Sequence, residues 1–291
     1  MRGLSNHQLS CCVNTLLQTF SATWELGDIL DKWEAAAVGE ESCNIPLQLK
    51  RVLSAMRKDT SRPAPHHAFL HSLDLNRIRL GMQHDADEVF LSILNLLQHQ
   101  MDDKHLTLNT YLLSLPLHVK EDHDSLEGCM TSFFEHQELR GINCCFCAKC
   151  EKKTPSKKGV KLLSLPRILS VHLKRFRNSN GYTRKLDCRI TFPETFDFAE
   201  TVKEAFSSDF NQNDCKYTLH AVVVHSGYAS SGHYTAYVRH RGNQCWYYAD
   251  DSHVHQVSWK EVQRSYGGIT AYMLMYRRGS KEEVQQPQLS G

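Results

Sequence analysis

Apolar residues in the first third of the chain recur three and four positions apart, which is the spacing of one face of an α-helix. The clearest runs cover residues 11–20, 45–56 and 83–101. Pro46 falls in the first turn of the second run, where the missing N–H of proline costs no hydrogen bond. Residues 61–65 are typical of a loop between helices. The pattern predicts a helical N-terminal lobe.

From about residue 160 the apolar period changes to two, which is the spacing of one face of a β-strand. The predicted strands cover residues 169–173, 217–223, 234–238, 245–248 and 270–276. Helices followed by meandering strands predict an α+β fold with an antiparallel sheet. We expect one domain over residues 1–278 and a disordered polar tail over residues 279–291.

Composition limits the class of protein. The chain has 291 residues, of which 41% are hydrophobic and 23% charged, close to the averages for soluble globular proteins. The formal net charge is only +2, so no strong basic field is present to hold nucleic acid. The apolar runs are too short to span a bilayer, and the N-terminus lacks the apolar core of a secretory signal. We expect neither nucleic-acid binding nor membrane insertion.

The 11 cysteines are odd in number and bunched in the chain. The two groups are Cys11 and Cys12, and then Cys144, Cys145, Cys147 and Cys150. A secreted disulfide framework usually spreads its cysteines through a short chain. Reduced thiols that serve catalysis or metal binding fit this pattern better, and they predict a cytoplasmic protein, with the nucleus as a second compartment.

Cys11 is the first candidate for chemistry. Ser10 can cap the helix that starts there, which places Cys11 in the first turn, where free amides and the helix dipole favour a thiolate. The competing interpretation is a small buried apolar residue, which is the commoner role of a lone cysteine. A partner base is needed to favour catalysis.

His233 is the candidate base, because it follows a Gly/Ser-rich loop and opens a predicted strand. After the next turn, Asp250 is placed to orient the imidazole, with Asp251 beside it. A nucleophile, a base and an acid that orients the base are what a thiol protease needs, and they need not be close in sequence.

Several motifs in this order resemble the ubiquitin-specific protease family. They cover residues 3–6 with 10–18, 83–88, 165–176, 231–234, 246–252 and 271–276. The resemblance implies a papain-like cysteine protease fold, with a helical lobe that carries the cysteine, an antiparallel β lobe that carries the histidine, and shortened fingers. It implies Cys11 as nucleophile, His233 as general base, Asp250 as the orienting acid and Asn6 as the donor to the oxyanion. The alternative for Asn6 is a turn residue that satisfies the backbone.

The chain departs from the family pattern beside the oxyanion residue. The family usually has glycine two residues after the asparagine, whereas this chain has Gln8, followed by Leu9 in place of a polar or small residue. If that position needs positive φ, a side chain there costs energy.

A second departure concerns zinc, for which the family commonly uses two Cys-x-x-Cys pairs as tetrahedral ligands. Cys147 and Cys150 match the downstream pair, but Cys129 is the single cysteine between Cys43 and Cys144. We therefore expect no cofactor. Four residues are open as replacement ligands: Cys144, Cys145, His123 and His136.

The resemblance implies an isopeptidase that cleaves a ubiquitin-like modifier from substrate lysines. Within the family it is closest to an interferon-induced member, which implies a two-domain modifier as substrate. Asp85, Asp87 and Glu88 could pair arginines in the tail of the modifier. For Asp87 an equally good interpretation is that it favours the dipole of a helix N-terminus.

Two other classes of function stay open. One is a catalytically weak or inactive binding module that regulates interferon receptor signalling through interferon-signalling partners; Gln8 and the shortened fingers favour it. The other is a nucleic-acid-binding zinc protein, based on Cys144–Cys150 with nearby lysines, although such a lysine run is more often a solvated loop.

Overall fold

The computed structural model describes residues 1–7, 10–33, 40–58, 60–80, 85–101, 111–207, 210, 214–264 and 268–279. The helices of these ranges are α1 (Cys11–Ala22), α2 (Trp24–Lys32), α3 (Ile45–Met56), α4 (His67–Leu75), α5 (Ala86–Met101), α6 (Leu126–Phe134), α7 (Phe198–Thr201) and α8 (Trp259–Val262). Short 3₁₀ turns cover Glu41–Cys43, Gly141–Asn143 and Lys203–Ala205. No helix of the described ranges has both the length and the apolar character needed to cross a bilayer.

The strands follow mainly in the second half of the chain. They are β1 (Leu112–His118), β2 (Gln137–Leu139), β3 (Cys145–Cys147), β4 (Lys152–Thr154), β5 (Ser156–Lys158), β6 (Ile168–Lys174), β7 (Phe176–Ser179), β8 (Tyr182–Lys185), β9 (Thr195–Asp197), β10 (Lys216–Tyr228), β11 (Ser231–Arg239), β12 (Trp246–Asp250), β13 (His253–Val257) and β14 (Ile269–Arg278).

The predicted α+β class is confirmed, and the first three predicted helices correspond to α1, α3 and α5. Asn44 caps α3 by accepting a hydrogen bond from the Leu47 N–H at 2.9 Å, and Pro46 lies in the first turn as expected. Helix α5 begins at Ala86. The predicted start at residue 83 and most of the predicted tail lie outside the described residues.

The main sheet has the order β1-β6-β14-β10-β11-β12-β13, with β9 paired to the start of β10. All of these pairings are antiparallel except that of β1 with β6, which is parallel. The sheet is therefore mixed at this one edge, where the sequence predicted an antiparallel sheet throughout. A parallel pair needs a long crossover, and α6 with the β2–β5 segment supplies it between the two strands.

The sheet is buried on both faces. Along β10, Ala221 and Val223 pack in the core shared with helices α1 to α5, whereas Val222 and Val224 pack in a second core that includes α6. Successive strand residues point to opposite faces, so a strand covered on both sides becomes a continuous apolar run. This explains the uninterrupted sequence from Ala221 to Val224.

The finger region is small in the described chain. Strands β2 and β5 form one two-stranded sheet, β3 and β4 form another, and each strand has three residues. Ile142 and Phe146 are strongly exposed there.

A buried ion cluster fastens the helical lobe to the sheet. Glu25 of α2 accepts hydrogen bonds from Arg277 of β14 at 2.6 and 3.0 Å and from Arg167 at 3.2 Å. Burial alone would raise the pKa of Glu25, but the hydrogen bond and charge of Arg277 outweigh it, and the pKa is lowered. The guanidinium of Arg277 also lies 3.7 Å from the centre of the Trp24 ring.

Candidate active site

Cys11 is the first residue of α1 and is largely buried. Ser10 occupies the N-cap position, but its side chain makes no capping hydrogen bond, contrary to the sequence prediction. The Ser10 hydroxyl instead accepts a hydrogen bond from the His7 N–H at 2.8 Å, because the preceding chain folds back over it. Cys11 still sits at the positive end of the helix dipole, which favours an anion.

The packing of α1 on β11 brings the Cys11 thiol near His233, and the thiol is the largest cause of the raised pKa of His233. His233 Nε2 lies 2.7 Å from Asp250 Oδ1 on the neighbouring strand β12. An ionised carboxylate only accepts hydrogen bonds, so Nε2 carries the proton and Nδ1 is left for the thiol. This is the arrangement in which a thiol, an imidazole and a carboxylate can act as nucleophile, base and orienting acid.

The surroundings favour a charged His233. The hydrogen bond to Cys11 is the largest cause and Asp250 adds to it, so the pKa of His233 is raised to about 9 although burial opposes the shift. A thiolate beside an imidazolium is the reactive form of a cysteine–histidine pair. The raised pKa keeps the His233 ring protonated near neutral pH.

Asp251 connects the turn after β12 to the N-terminal segment and α1. Its carboxylate accepts hydrogen bonds from the amides of Asn6 and Asn14, both at 2.8 Å, and its carbonyl accepts from the Leu4 N–H at 2.9 Å. Asp251 has a φ of 49°, so its backbone lies in the left-handed region. Asn14 was missed by the sequence analysis, although a buried asparagine in an apolar helix is a signal that could have found it.

Asn6 is held from both ends of its side chain. Its oxygen accepts a hydrogen bond from the Ser10 N–H at 3.2 Å, and its nitrogen donates to Asp251. An amide nitrogen has two N–H groups, so this contact orients the side chain and leaves one donor for an oxyanion. Gln8 and Leu9, the two departures next to it, lie outside the described residues.

The acidic residues at the start of α5 have different environments. Asp85 accepts hydrogen bonds from the Tyr272 hydroxyl and, at 2.9 Å, from the Asp87 N–H. Asp87 is only 8% exposed and lies 3.0 Å from His172, whereas Glu88 is exposed. The prediction that Asp87 pairs a substrate arginine is therefore wrong, because the fold commits this carboxylate to an internal contact.

Lys185 is a buried cation behind the histidine hairpin, with a side chain only 3% exposed. Its ammonium donates to the carbonyls of His225 at 3.1 Å, Gly227 at 3.3 Å and Gly268, and it lies 3.2 Å from Asp187. Burial lowers the pKa of Lys185, and the hydrogen bond to Asp187 opposes that shift. The ladder between β10 and β14 ends at Ser226 and Ile269, so the ammonium replaces strand pairing at the end of β10.

The same hairpin fixes the backbone of His233. Ser226 pairs with His233 in the β10–β11 ladder, and a Cβ added at Gly232 would lie 2.0 Å from His225 Nε2. Only glycine therefore allows the ring of His225 to pack this close to the residue that precedes the base. Burial lowers the pKa of His225 to about 4, so the ring stays neutral.

Among the described residues, the finger cysteines form no group of three candidate metal ligands within 4.8 Å of one another. The pKa of the Cys147 thiol is lowered. The largest cause is a hydrogen bond from the backbone of Cys150, and the second is a hydrogen bond from the side chain of Cys150. Among the described residues, only His233, Asp250 and Asp251 form a group of three candidate metal ligands within 4.8 Å of one another. The alternative ligand His123 instead lies 3.4 Å from Cys129.

Comparison with known proteins gives relatives over nearly the whole chain. Residues 2–276 match the family described as ubiquitin carboxyl-terminal hydrolase. The chain is 31% identical to Ubl carboxyl-terminal hydrolase 18 of Homo sapiens, over 95% of this chain and 84% of that protein. Identity to Ubl carboxyl-terminal hydrolase 18 of Mus musculus is 32%, over 95% and 85%.

A solved structure has the same fold. The structure of the SAGA Ubp8/Sgf11/Sus1/Sgf73 DUB module bound to ubiquitin aldehyde matches with a TM-score of 0.80 and 22% identity, over 96% of this chain and 70% of that one. At this identity the match concerns the fold alone.

Replacing Asp250 by asparagine should lower the pKa of His233 by roughly one pH unit or more, since a nearby carboxylate favours the imidazolium. The imidazolium proton is lost as the pH rises through about 9 in the parent, so Asp250→Asn moves this loss to lower pH. NMR titration of the His233 ring measures the shift. Asp122→Asn, an exposed change, is the control; an unaltered His233 titration in Asp250→Asn contradicts the assignment.

Lys185→Met should slow the alkylation of Cys11 by iodoacetamide at neutral pH. The hairpin that carries His233 loses the hydrogen bonds of the Lys185 ammonium to the carbonyls of His225 and Gly227, which hold it in place. The stranded carbonyls should each cost about 1–3 kcal/mol of unfolding free energy. Lys216→Met, at the exposed opposite end of β10, is the matched control. Equal alkylation rates for the two folded variants would show that the hydrogen bonds of Lys185 do not position His233.

We expect less than one zinc per chain at the finger cysteines of the purified protein, and little change in melting temperature when a chelator is added. A structural zinc contributes on the order of 10–16 kcal/mol in small zinc domains. If that zinc is absent, the double variant Cys147→Ser with Cys150→Ser should therefore have the same melting temperature as the parent. Stoichiometric zinc by elemental analysis that is lost in the double variant, together with a large drop in melting temperature, overturns this expectation.

Proposed function

The chain belongs to the ubiquitin carboxyl-terminal hydrolase family, and from this we propose that its cysteine-hydrolase activity uses Cys11 to remove a ubiquitin-like modifier from substrate lysines. The chain is a thiol hydrolase that acts on ubiquitin-like modifiers and their conjugates. The observation that carries the proposed site is the 2.7 Å hydrogen bond between His233 and Asp250, beside α1, whose first residue Cys11 raises the pKa of His233.

In this mechanism the Cys11 thiolate attacks the carbonyl carbon of the bond between the terminal glycine of the modifier and the substrate lysine. His233 donates its proton to the leaving amine, and the modifier stays bound to Cys11 as a thioester. His233, now neutral, removes a proton from water, which attacks the thioester and releases the carboxylate. Asp250 holds the imidazole in the tautomer that these transfers need.

The negative oxygen of each tetrahedral intermediate needs donors that are already in place. We assign this role to the second N–H of Asn6 together with a backbone N–H at the start of α1. The support is that Asp251 and Ser10 fix both ends of the Asn6 side chain, so little reorganisation is needed when charge develops.

The modifier that we propose is the interferon-induced two-domain ubiquitin-like protein. The support is the name of the human and mouse relatives, which specifies a Ubl rather than ubiquitin, together with their 31% and 32% identity over 95% of the chain. Glu88 is the exposed carboxylate of the α5 start, and we assign it the contact with an arginine of the modifier tail.

Interferon-signalling proteins are proposed as further partners, and the cytoplasm and nucleus as the compartments of action. Both follow from the resemblance to the interferon-induced member and from the absence of disulfides among the 11 cysteines, all of which are free thiols. A binding module without catalysis is the less favoured alternative, because a binding surface does not require the contact between Cys11 and His233.

Cys11→Ser should abolish covalent capture of modifier probes that carry a C-terminal electrophile, since serine lacks a thiolate. We expect the parent to react faster with the two-domain probe than with a ubiquitin probe. Cys150→Ser, an exposed finger cysteine, is the control and should react like the parent. Capture that persists in a folded Cys11→Ser variant rejects the nucleophile, whereas faster reaction with ubiquitin rejects only the proposed modifier.

His233→Ala should lower the turnover of a modifier–lysine conjugate by about 10²–10⁴-fold, which is the range for loss of a general base. His255→Ala, on the exposed strand β13, is the matched control. The turnover of the two variants is compared from their initial rates at saturating substrate. An unchanged rate in His233→Ala would assign the base to a different residue.

A further inference from the structure

Three imidazoles meet beside the segment that carries Asn6. His7 lies on the segment before α1, and His66 and His67 lie at the start of α4. The ring centre of His7 is 5.5 Å from that of His66 and 6.0 Å from that of His67. We call these three residues the histidine cluster. None of them takes part in the mechanism above.

His66 has a free nitrogen in an unusual place. The residue is only 3% exposed, and its Nδ1 lies 3.3 Å from the carbonyl oxygen of Ala64. A carbonyl only accepts hydrogen bonds, so Nδ1 carries the proton and Nε2 of the neutral ring keeps a lone pair. Nε2 is buried and has no hydrogen-bond partner among the described residues.

This arrangement is the one found at metal-bound histidines. A metal-ligating histidine usually donates its other ring N–H to a carbonyl or carboxylate, which fixes the tautomer and aims the free nitrogen at the ion. A buried acceptor without a partner otherwise costs about 1–3 kcal/mol. A metal ion bound to Nε2 removes this penalty.

The two ring spacings that involve His7, one to His66 and one to His67, also fit one ion. With metal–nitrogen distances near 2.0–2.1 Å, two imidazole centres around a tetrahedral zinc lie roughly 5–6 Å apart. Their nitrogens do not yet form a group of three within 4.8 Å. His7 and His67 are both exposed, so their rings can turn towards His66 without disturbing the core.

Room for an ion and its water lies next to the two exposed members of the cluster, His7 and His67. A cavity of about 530 Å³ is lined by His7 and His67 with Asn6, and by His71 and Asp74 of α4. His71 and Asp74 lie four and seven residues after His67, which places them on the same face of the helix. Their side chains line the same cavity as His7 and His67, which makes them candidates for the remaining ligands, together with water.

We propose that His7, His66 and His67 bind one exchangeable divalent transition-metal ion such as Zn²⁺. Imidazole is a preferred ligand for zinc, copper and nickel, so the donor set suits this class of ion. The bound ion ties the segment that holds Asn6 to helix α4. This site is separate from the catalytic thiol and from the finger cysteines.

The test uses the full chain with Cys11→Ser, Cys147→Ser and Cys150→Ser, which removes the catalytic thiol and the exposed Cys-x-x-Cys pair. Co²⁺ titration followed by visible absorption, with Zn²⁺ competition, gives stoichiometry and affinity. We expect one ion per chain. His7→Ala and His67→Gln should each weaken binding by at least about tenfold, given that losing even an outer partner costs 10–100-fold.

His255→Gln is the matched control and should bind as the parent does. Because His66 is buried and its replacement can unfold the chain, its role is read from ¹⁵N NMR, in which Zn²⁺ should shift the Nε2 resonance of His66. Zn²⁺ should also raise the melting temperature, and His7→Ala should remove that increase. The proposal is overturned if no ion binds, if the His66 resonance does not move, or if affinity is the same in His7→Ala and His67→Gln as in the control.

Discussion

The contact on which the site depends is the one between Asp251 and the N-terminal segment. One carboxylate holds Asn6 and Asn14, which lie 245 and 237 positions earlier in the chain. The turn that carries Asp251 also ends the strand that carries Asp250. Anything that displaces this turn therefore moves Asp250, Asn6 and the helix that begins at Cys11 together.

A second constraint acts on the other side of His233. The strand β10 extends beyond its partner β14, and the Lys185 ammonium bonds the carbonyl of Gly227 there and that of His225 near the end of the ladder. A buried charge is tolerated only when it is well compensated. The two constraints together fix β10 and β12, the strands on either side of β11. The half-exposed hairpin can therefore hold the imidazole of His233 near the thiol of Cys11.

Some buried polar groups of the described chain have a hydrogen-bond or ionic partner within the fold, and others have none. Glu25 is matched by Arg277 and Arg167, so it stabilises the packing of α2 on the sheet. Nε2 of His66 has no match within the described chain. His220 and His225 also have a buried ring nitrogen without a partner, so it is the neighbouring imidazoles of His7 and His67 that mark His66 as a candidate binding residue.

The sequence alone determined the helical lobe, the order of the later strands and the α+β class, because these follow from local apolar periodicity. It also selected Cys11, His233, Asp250 and Asn6 through motifs, but the roles of these residues stay predictions. Tertiary structure decided the rest: the parallel pairing of β1, the internal contact of Asp87, the clamp of Lys185 and the uncapped Ser10. Each depends on which distant group supplies a hydrogen bond, and local sequence spacing carries no record of such partners.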